Sequence, residues 1–269
     1  MGMRLCCLRS NEGAPLPLRS VATRAVLFDL FDTLVDLVLE GLPPIQMGQR
    51  RLPSTYQTLH EVIVQRSALD FERFARELGS VDREGRQRAL AEGREYPTLE
   101  RFQTLLERLA LKDDGLAEQL TQTHMGLLRS TARFHPHHAE VLRELRRTVR
   151  IGVCSNFSHA PTARALLEEA GLLSYIDEVV ISEEVGIRKP RREIFEAALE
   201  RLDVPREQTL HVGDDLKTDV QGAAGAGITP VWLTRRVRKP DEALRAYTGP
   251  SPAHVISDLN QLLGLISSA

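Results

Sequence analysis

Residues 25–35 read Ala-Val-Leu-Phe-Asp-Leu-Phe-Asp-Thr-Leu-Val: an apolar run ending in an aspartate, then a tight turn and a threonine. A short continuous apolar run predicts a buried strand. Open α/β sheets bind their ligands at the carboxyl ends of such strands. An aspartate in that place can serve as a covalent nucleophile and not merely as a surface charge. Asp29 is thus the residue to explain, with Phe31 and Thr33 beside it.

From residue 149 onward, short apolar runs alternate with helical spacing. The strands expected are Val149–Cys154, Ile176–Ile181, Thr209–Gly213, Thr229–Leu233 and His254–Ile256. Helices are expected at Pro161–Glu169, Glu193–Arg201, Lys217–Ala226, Asp241–Ala246 and Ser257–Leu265. This alternation predicts an α/β fold with a doubly wound, Rossmann-like parallel sheet. Ala25–Phe28 belongs to the same sheet, because a lone strand ahead of an independent helical domain would be unstable.

The stretch between the first two strands reads differently. Leu59, Val62, Ile63, Leu69, Phe71, Phe74 and Leu78 recur mostly at helical intervals. Phe102, Leu105, Leu106 and Leu109 continue the pattern, as do Leu116, Leu120, Met125 and Leu128. The expected organisation is an extension over residues 1–23, a core over 24–36 and 136–269, and an inserted all-helical cap over 37–135.

Four polar features fall at successive strand ends. They are Asp29 with Thr33; Ser155-Asn156; Lys189-Pro190 within Val185-Gly-Ile-Arg-Lys-Pro; and Gly213-Asp-Asp-Leu-Lys-Thr-Asp219. Any one of them alone would read as a turn or cap. Together and in this order, they resemble the four motifs of the haloacid dehalogenase-like hydrolases, in the branch with a helical cap inserted after the first strand. The resemblance covers about residues 24–265.

That resemblance implies a chemistry. Asp29 would be the nucleophile on a small phosphorylated substrate. Asp29, Asp214 and the main-chain carbonyl of Phe31 would hold Mg²⁺, a cation that prefers oxygen ligands. Lys189 would place a positive charge on the phosphoryl group, and Ser155 would donate a hydrogen bond to it. Thr33 and Asn156 would contact substrate. Asp215 and Asp219 would orient these groups from behind.

Phe31 departs from the pattern. The family's phosphatases carry there a second aspartate, which protonates the leaving group and later activates water. Such proton transfer contributes roughly 10²–10⁴-fold, about 3–5 kcal/mol of barrier. Asp32 is the neighbouring carboxylate, expected to point elsewhere if the backbone is extended there. Three readings follow: a Mg²⁺-dependent phosphohydrolase lacking that acid, a 2-haloacid dehalogenase, or a non-catalytic member that binds a phosphorylated ligand. Dehalogenases of the family carry an aromatic residue at this place, but they use no metal and replace the fourth motif's aspartate. Retention of Asp214 favours the first reading. A halide-binding arginine from the cap would also be required; Arg50 and Arg51 suit it by position, but arginines are plentiful in this cap, which favours an ordinary role for them.

The rest of the chain is plain. With 35 Lys and Arg against 37 Asp and Glu, it carries no net field that points to nucleic acid or anionic membrane. No run of apolar residues is long enough to cross a bilayer. Three cysteines make no disulfide framework, and Cys154 reads as core. Cys6 and Cys7 lie in the extension, whose Met-Gly start lacks the Ser or Thr of a myristoylation signal. A cytoplasmic protein is expected. Arg235-Arg236-Val237-Arg238-Lys239 reads as a solvated loop, His135, His137 and His138 as a surface helix start, and Trp232 as core. Gly225 and Gly227 lack the spacing of a dinucleotide fingerprint.

Overall fold

The computed structural model describes residues 22–47 and 50–267. The expectations placed on Cys6 and Cys7 lie outside the described residues. Among the described residues ten strands run β1 Ala25–Phe28, β2 Val35–Leu37, β3 Pro44–Met47, β4 Arg50–Pro53, β5 Ala132–Phe134, β6 Arg150–Ser155, β7 Glu178–Ile181, β8 Thr209–Gly213, β9 Thr229–Leu233 and β10 His254–Ile256. The first six α-helices are α1 Tyr56–Val64, α2 Phe71–Glu92, α3 Thr98–Leu109, α4 Leu116–Ser130, α5 Pro136–Leu145 and α6 Ala160–Glu169. Then follow α7 Ser182–Val185, α8 Arg192–Leu202, α9 Gly222–Gly225, α10 Pro240–Ala246 and α11 Gln261–Ser267.

Six strands form one parallel sheet in the order β10-β9-β8-β1-β6-β7. The expected Rossmann-like arrangement is present, with β1 at its centre. The chain leaves β1 for β6 on one side and later returns to β8 on the other. This reversal opens the crevice in which such sheets bind ligands.

Alternation along β1 explains the two-sided core. Val26 and Phe28 pack with Val141, Leu142 and Leu167 of α5 and α6 on one face. Ala25 and Leu27 pack with Phe195, Ala198 and Leu202 of α8 on the other. All four are fully buried. A side chain the size of Phe28 contributes about 1.5–3 kcal/mol by that burial, which is why the strand reads as continuously apolar.

A third core belongs to the cap, with Leu59, Ile63, Phe74, Leu78, Phe102 and Leu120 drawn from α1–α4. The helices expected between residues 54 and 130 are all present. The expectation of an all-helical cap needs correction, because residues 44–53 form an antiparallel hairpin, β3 with β4. Its pairs run Pro44↔Pro53, Ile45↔Leu52, Gln46↔Arg51 and Met47↔Arg50. Ile45 is buried while Leu52 is 43% exposed, so the ribbon carries too little alternation to be read from sequence. Arg51 lies exposed on this hairpin; the side chain of Arg50 lies outside the described residues. The cap is entered through β2 and left through β5, and these two strands pair with each other.

Two bland expectations also change. The histidines stand at the start of α5 as expected, but not on an open surface: His138 is fully buried, and His135 bonds the buried Asp36 at 2.9 Å. Arg235 and Arg236 are not a solvated loop: both grip Asp36, and Arg236 also pairs with Asp32 at 2.9 Å. No helix among the described residues is long and apolar enough to cross a membrane.

Candidate active site

Strand register brings the sequence motifs together. Phe28 pairs with Val153 on one side and Val212 on the other. Asp29 therefore emerges level with the ends of β6 and β8, and its own N–H is tied to the Val212 carbonyl at 2.9 Å. Ser155 at the end of β6 donates to Asp29 Oδ1 at 2.8 Å.

Lys189 arrives from the loop after α7. The turn uses Gly186 at φ +75°, a left-handed conformation that costs glycine little. The ammonium group donates to Asp29 Oδ1 and to Asp219 Oδ1, both at 2.6 Å. Asn156 accepts from the Lys189 N–H at 2.7 Å and donates to its carbonyl at 3.0 Å. The Asn156 amide is thus used to pin the Lys189 main chain, where the sequence led us to expect contact with substrate.

Asp219 is held by more than Lys189. His211 Nε2 lies 2.9 Å from Asp219 Oδ1, and the Asp215 N–H donates to Asp219 Oδ2 at 3.0 Å. A Cβ at Gly213 would meet Asp219 Cγ at 2.2 Å, so only glycine lets the strand end pass this carboxylate. The Asp215 carboxylate turns away from Lys189 and caps the π-helical turn Leu216–Gln221, accepting from the N–H groups of Lys217 and Thr218. Trp232 is core, as expected, and also donates to the Asp214 carbonyl at 2.8 Å. Thr33 is buried, and its hydroxyl has no hydrogen-bond partner among the described residues.

The electrostatics follow from crowding. Burial would lower Lys189, but Asp219 and Asp29 hold it well above the ordinary lysine range. Burial raises Asp29 against the opposing pull of Lys189. Asp219 is held below the ordinary range because Lys189 and His211 outweigh its burial. Asp214 has no such partner; burial and the carboxylates Asp29 and Asp219 push it up to about 8.

The donor set fits a hard divalent cation. Carboxylate oxygens of Asp29, Asp214 and Asp219 lie within 4.8 Å of one another. Three carboxylates against the single ammonium of Lys189 leave two negative charges in excess, which one divalent cation balances. Both bonds to Asp29 fall on Oδ1, and Oδ2 accepts none of the described hydrogen bonds.

Phe31 is half-buried, and its ring meets that of Phe157 edge-on at 4.7 Å. Asp32 does not take the missing position. Its backbone is left-handed at φ +57°, not extended as the sequence reading supposed, and its carboxylate is engaged by Arg236.

A cavity of about 470 Å³ lies between cap and core, lined by Asp82, Tyr96, Arg101 and His124 from the cap and by Asn156, Phe157 and Arg188 from the core. Arg101 is braced by Asp82 at 2.5 and 3.0 Å, and its Nη1 lies 3.2 Å from His124. Asp82, Arg101 and His124 carry no mark in the sequence, because isolated polar positions on amphipathic helices look like solvated ones.

Residues 23–227 match the sequence profile of the haloacid dehalogenase-like hydrolases. The chain belongs to that family. As a haloacid dehalogenase-like hydrolase it has curated phosphatase relatives. One is the pyrimidine 5'-nucleotidase YjjG of Escherichia coli, 33% identical over 62% of this chain and 69% of that protein. Another is a ribulose-1,5-bisphosphate 5-phosphatase of Halopiger xanaduensis, 35% identical over 49% of this chain. The chain spans little more than half of that relative's length, 56%. Among solved structures, a 2-haloacid dehalogenase from Pseudomonas syringae aligns over 91% of this chain and 99% of its own, with a TM-score of 0.66 at 21% identity. The last likeness is one of fold.

Proposed function

We propose that this hydrolase is a Mg²⁺-dependent phosphohydrolase that uses Asp29 as its nucleophile on a small phosphorylated metabolite. One observation carries the reading: Asp29 Oδ1 takes both Ser155 and Lys189, its other oxygen accepts none of the described hydrogen bonds, and the carboxylate stands in a group with Asp214 and Asp219. Bound Mg²⁺, held by Asp29, Asp214 and the Phe31 carbonyl, would neutralise phosphate charge so that a carboxylate can approach. Lys189 adds a second positive charge beside the attacking oxygen, and Asn156 fixes where that charge stands. Attack forms an aspartyl-phosphate at Asp29, which water then hydrolyses. Phe31 supplies no proton for the leaving group, so substrates with good leaving groups, acyl phosphates among them, are favoured over simple alkyl phosphates. The curated phosphatase relatives support the phosphate class.

The second reading, 2-haloacid dehalogenation, is favoured by the aromatic Phe31. It is opposed by Asp214, whose charge beside Asp29 has no purpose without a cation. A screen of nucleoside monophosphates, sugar phosphates, acyl phosphates and 2-haloacids, with and without Mg²⁺, separates the two. Phosphate release that stops in chelator and in Asp29→Asn supports the proposal. Halide release that persists in chelator overturns it.

A further inference from the structure

A second cluster of ligand-type side chains lies away from Asp29, where the cap joins the core. His135 precedes α5, and His137 and His138 lie in its first turn. One ring nitrogen from each lies within 4.8 Å of the others. The His137 and His138 rings are 4.5 Å apart, and those of His135 and His138 are 4.8 Å apart.

The hydrogen bonds fix which nitrogens are free. His138 Nδ1 bonds the Leu34 carbonyl at 3.0 Å, which makes it the N–H and leaves Nε2 as a lone pair. That Nε2 is buried and without a hydrogen-bond partner, on a residue that is fully buried. His135 Nε2 sits 2.9 Å from both the Asp36 carboxylate and Arg235 Nη1, so that nitrogen is taken and Nδ1 is the one left for a metal. Metal-binding histidines are held in this way, with the second nitrogen tied to a carbonyl or a carboxylate.

His137 Nε2 is also buried and makes no hydrogen bond, although it lies 3.3 Å from Asp258 Oδ2. A tetrahedral zinc with Zn–N and Zn–O of about 2.0–2.1 Å places its ligand atoms about 3.3–3.4 Å apart. The surrounding charge is compatible with a cation. Arg235 pairs with Asp36 while also touching His135 Nε2, Arg236 pairs with Asp36 and Asp32, and Asp258 remains in excess.

We propose that His135, His137 and His138, with Asp258 beside His137, form a binding site for a zinc-class divalent metal at the cap hinge, separate from the acidic site at Asp29. Imidazole donors select this class over Mg²⁺. His135 directly follows β5 and its Asp36 partner lies on β2, while Asp258 follows β10. A metal here ties both hinge strands to the core and stiffens the junction.

Equilibrium dialysis of the full chain against buffered Zn²⁺, with excess Mg²⁺ holding the acidic site, tests this directly. One zinc per chain is expected, along with the visible absorption of tetrahedral cobalt when Co²⁺ replaces it. His137→Ala and, separately, Asp258→Asn should each weaken zinc binding by about tenfold or more. Both positions are partly exposed, so these variants should fold, and a retained Mg²⁺-dependent activity would confirm it. Zinc affinity unchanged in both variants overturns the proposal. So does zinc binding that is lost in Asp214→Asn but kept in His137→Ala.

Discussion

Arg188 Nη1 donates to both carboxylate oxygens of Glu95, at 2.5 and 2.6 Å, one residue before Lys189. Glu95 lies in the link between α2 and α3, is almost wholly buried, and also receives the Ser182 hydroxyl. Around it the Glu95 N–H reaches the Gly186 carbonyl, and the Arg188 N–H reaches the Gly93 carbonyl. The cap is therefore latched onto the same loop that carries Lys189.

Breaking the latch should loosen the closed form and leave the chemistry intact. For Glu95→Gln we expect kcat/KM to fall roughly 5- to 30-fold, corresponding to about 1–2 kcal/mol for a lost charge-assisted bond. Most of the fall should lie in KM. Steady-state kinetics on the best substrate from the screen checks this, and a change confined to kcat would contradict it.

Phe31→Asp restores a carboxylate at the position from which proton transfer would occur. Hydrolysis of simple alkyl phosphates should rise by about 10²-fold or more, while acyl phosphates gain little. If the two substrate classes respond alike, Phe31 is not the limiting residue.

Mg²⁺ binding should depend on pH through Asp214. Below about pH 8 its carboxyl holds a proton in the metal-free protein, which the cation must displace. The apparent Mg²⁺ dissociation constant should fall by up to about tenfold per pH unit between pH 6 and 8, then level off. Calorimetric titration at several pH values measures this. The same shift predicts that metal-free protein loses stability as pH rises from about 4 to 8, since only the folded state retains the proton.

His124 predicts the opposite trend in the cap. Burial, and then the charge of Arg101, lower it to about 3. Between pH 6.5 and about 3 the unfolded chain binds a proton that the folded chain refuses, so stability falls as pH falls, by up to ~1.4 kcal/mol per unit. Denaturant melts of His124→Gln across this range should show a flatter profile than the parent.

The parallel sheet was legible because β1, β6, β8 and β9 are apolar on both faces, and the chemistry was legible because its residues stand at strand ends. Other features came only from tertiary proximity. Glu95 and Arg188 meet across 93 residues, and no local pattern marks either one. Asn156 was seen as a motif residue, yet its task of holding Lys189 needed the hydrogen bonds to be visible. No local pattern ties the three histidines to the carboxylates beside them, because Asp36 and Asp258 reach them from distant elements.

The pairing of β2 with β5 has one more consequence. The outgoing and returning chain lie side by side, so the sheet is joined to its insertion by a single narrow stalk. An exchange of everything beyond Leu37 and before Ala132 would leave the strand order, Asp29 and Ser155 where they are, while the new insertion would have to supply its own partner for Arg188 on the Lys189 loop. In this architecture the insertion is a separable module, free to diverge while the sheet and the residues at its strand ends stay constant.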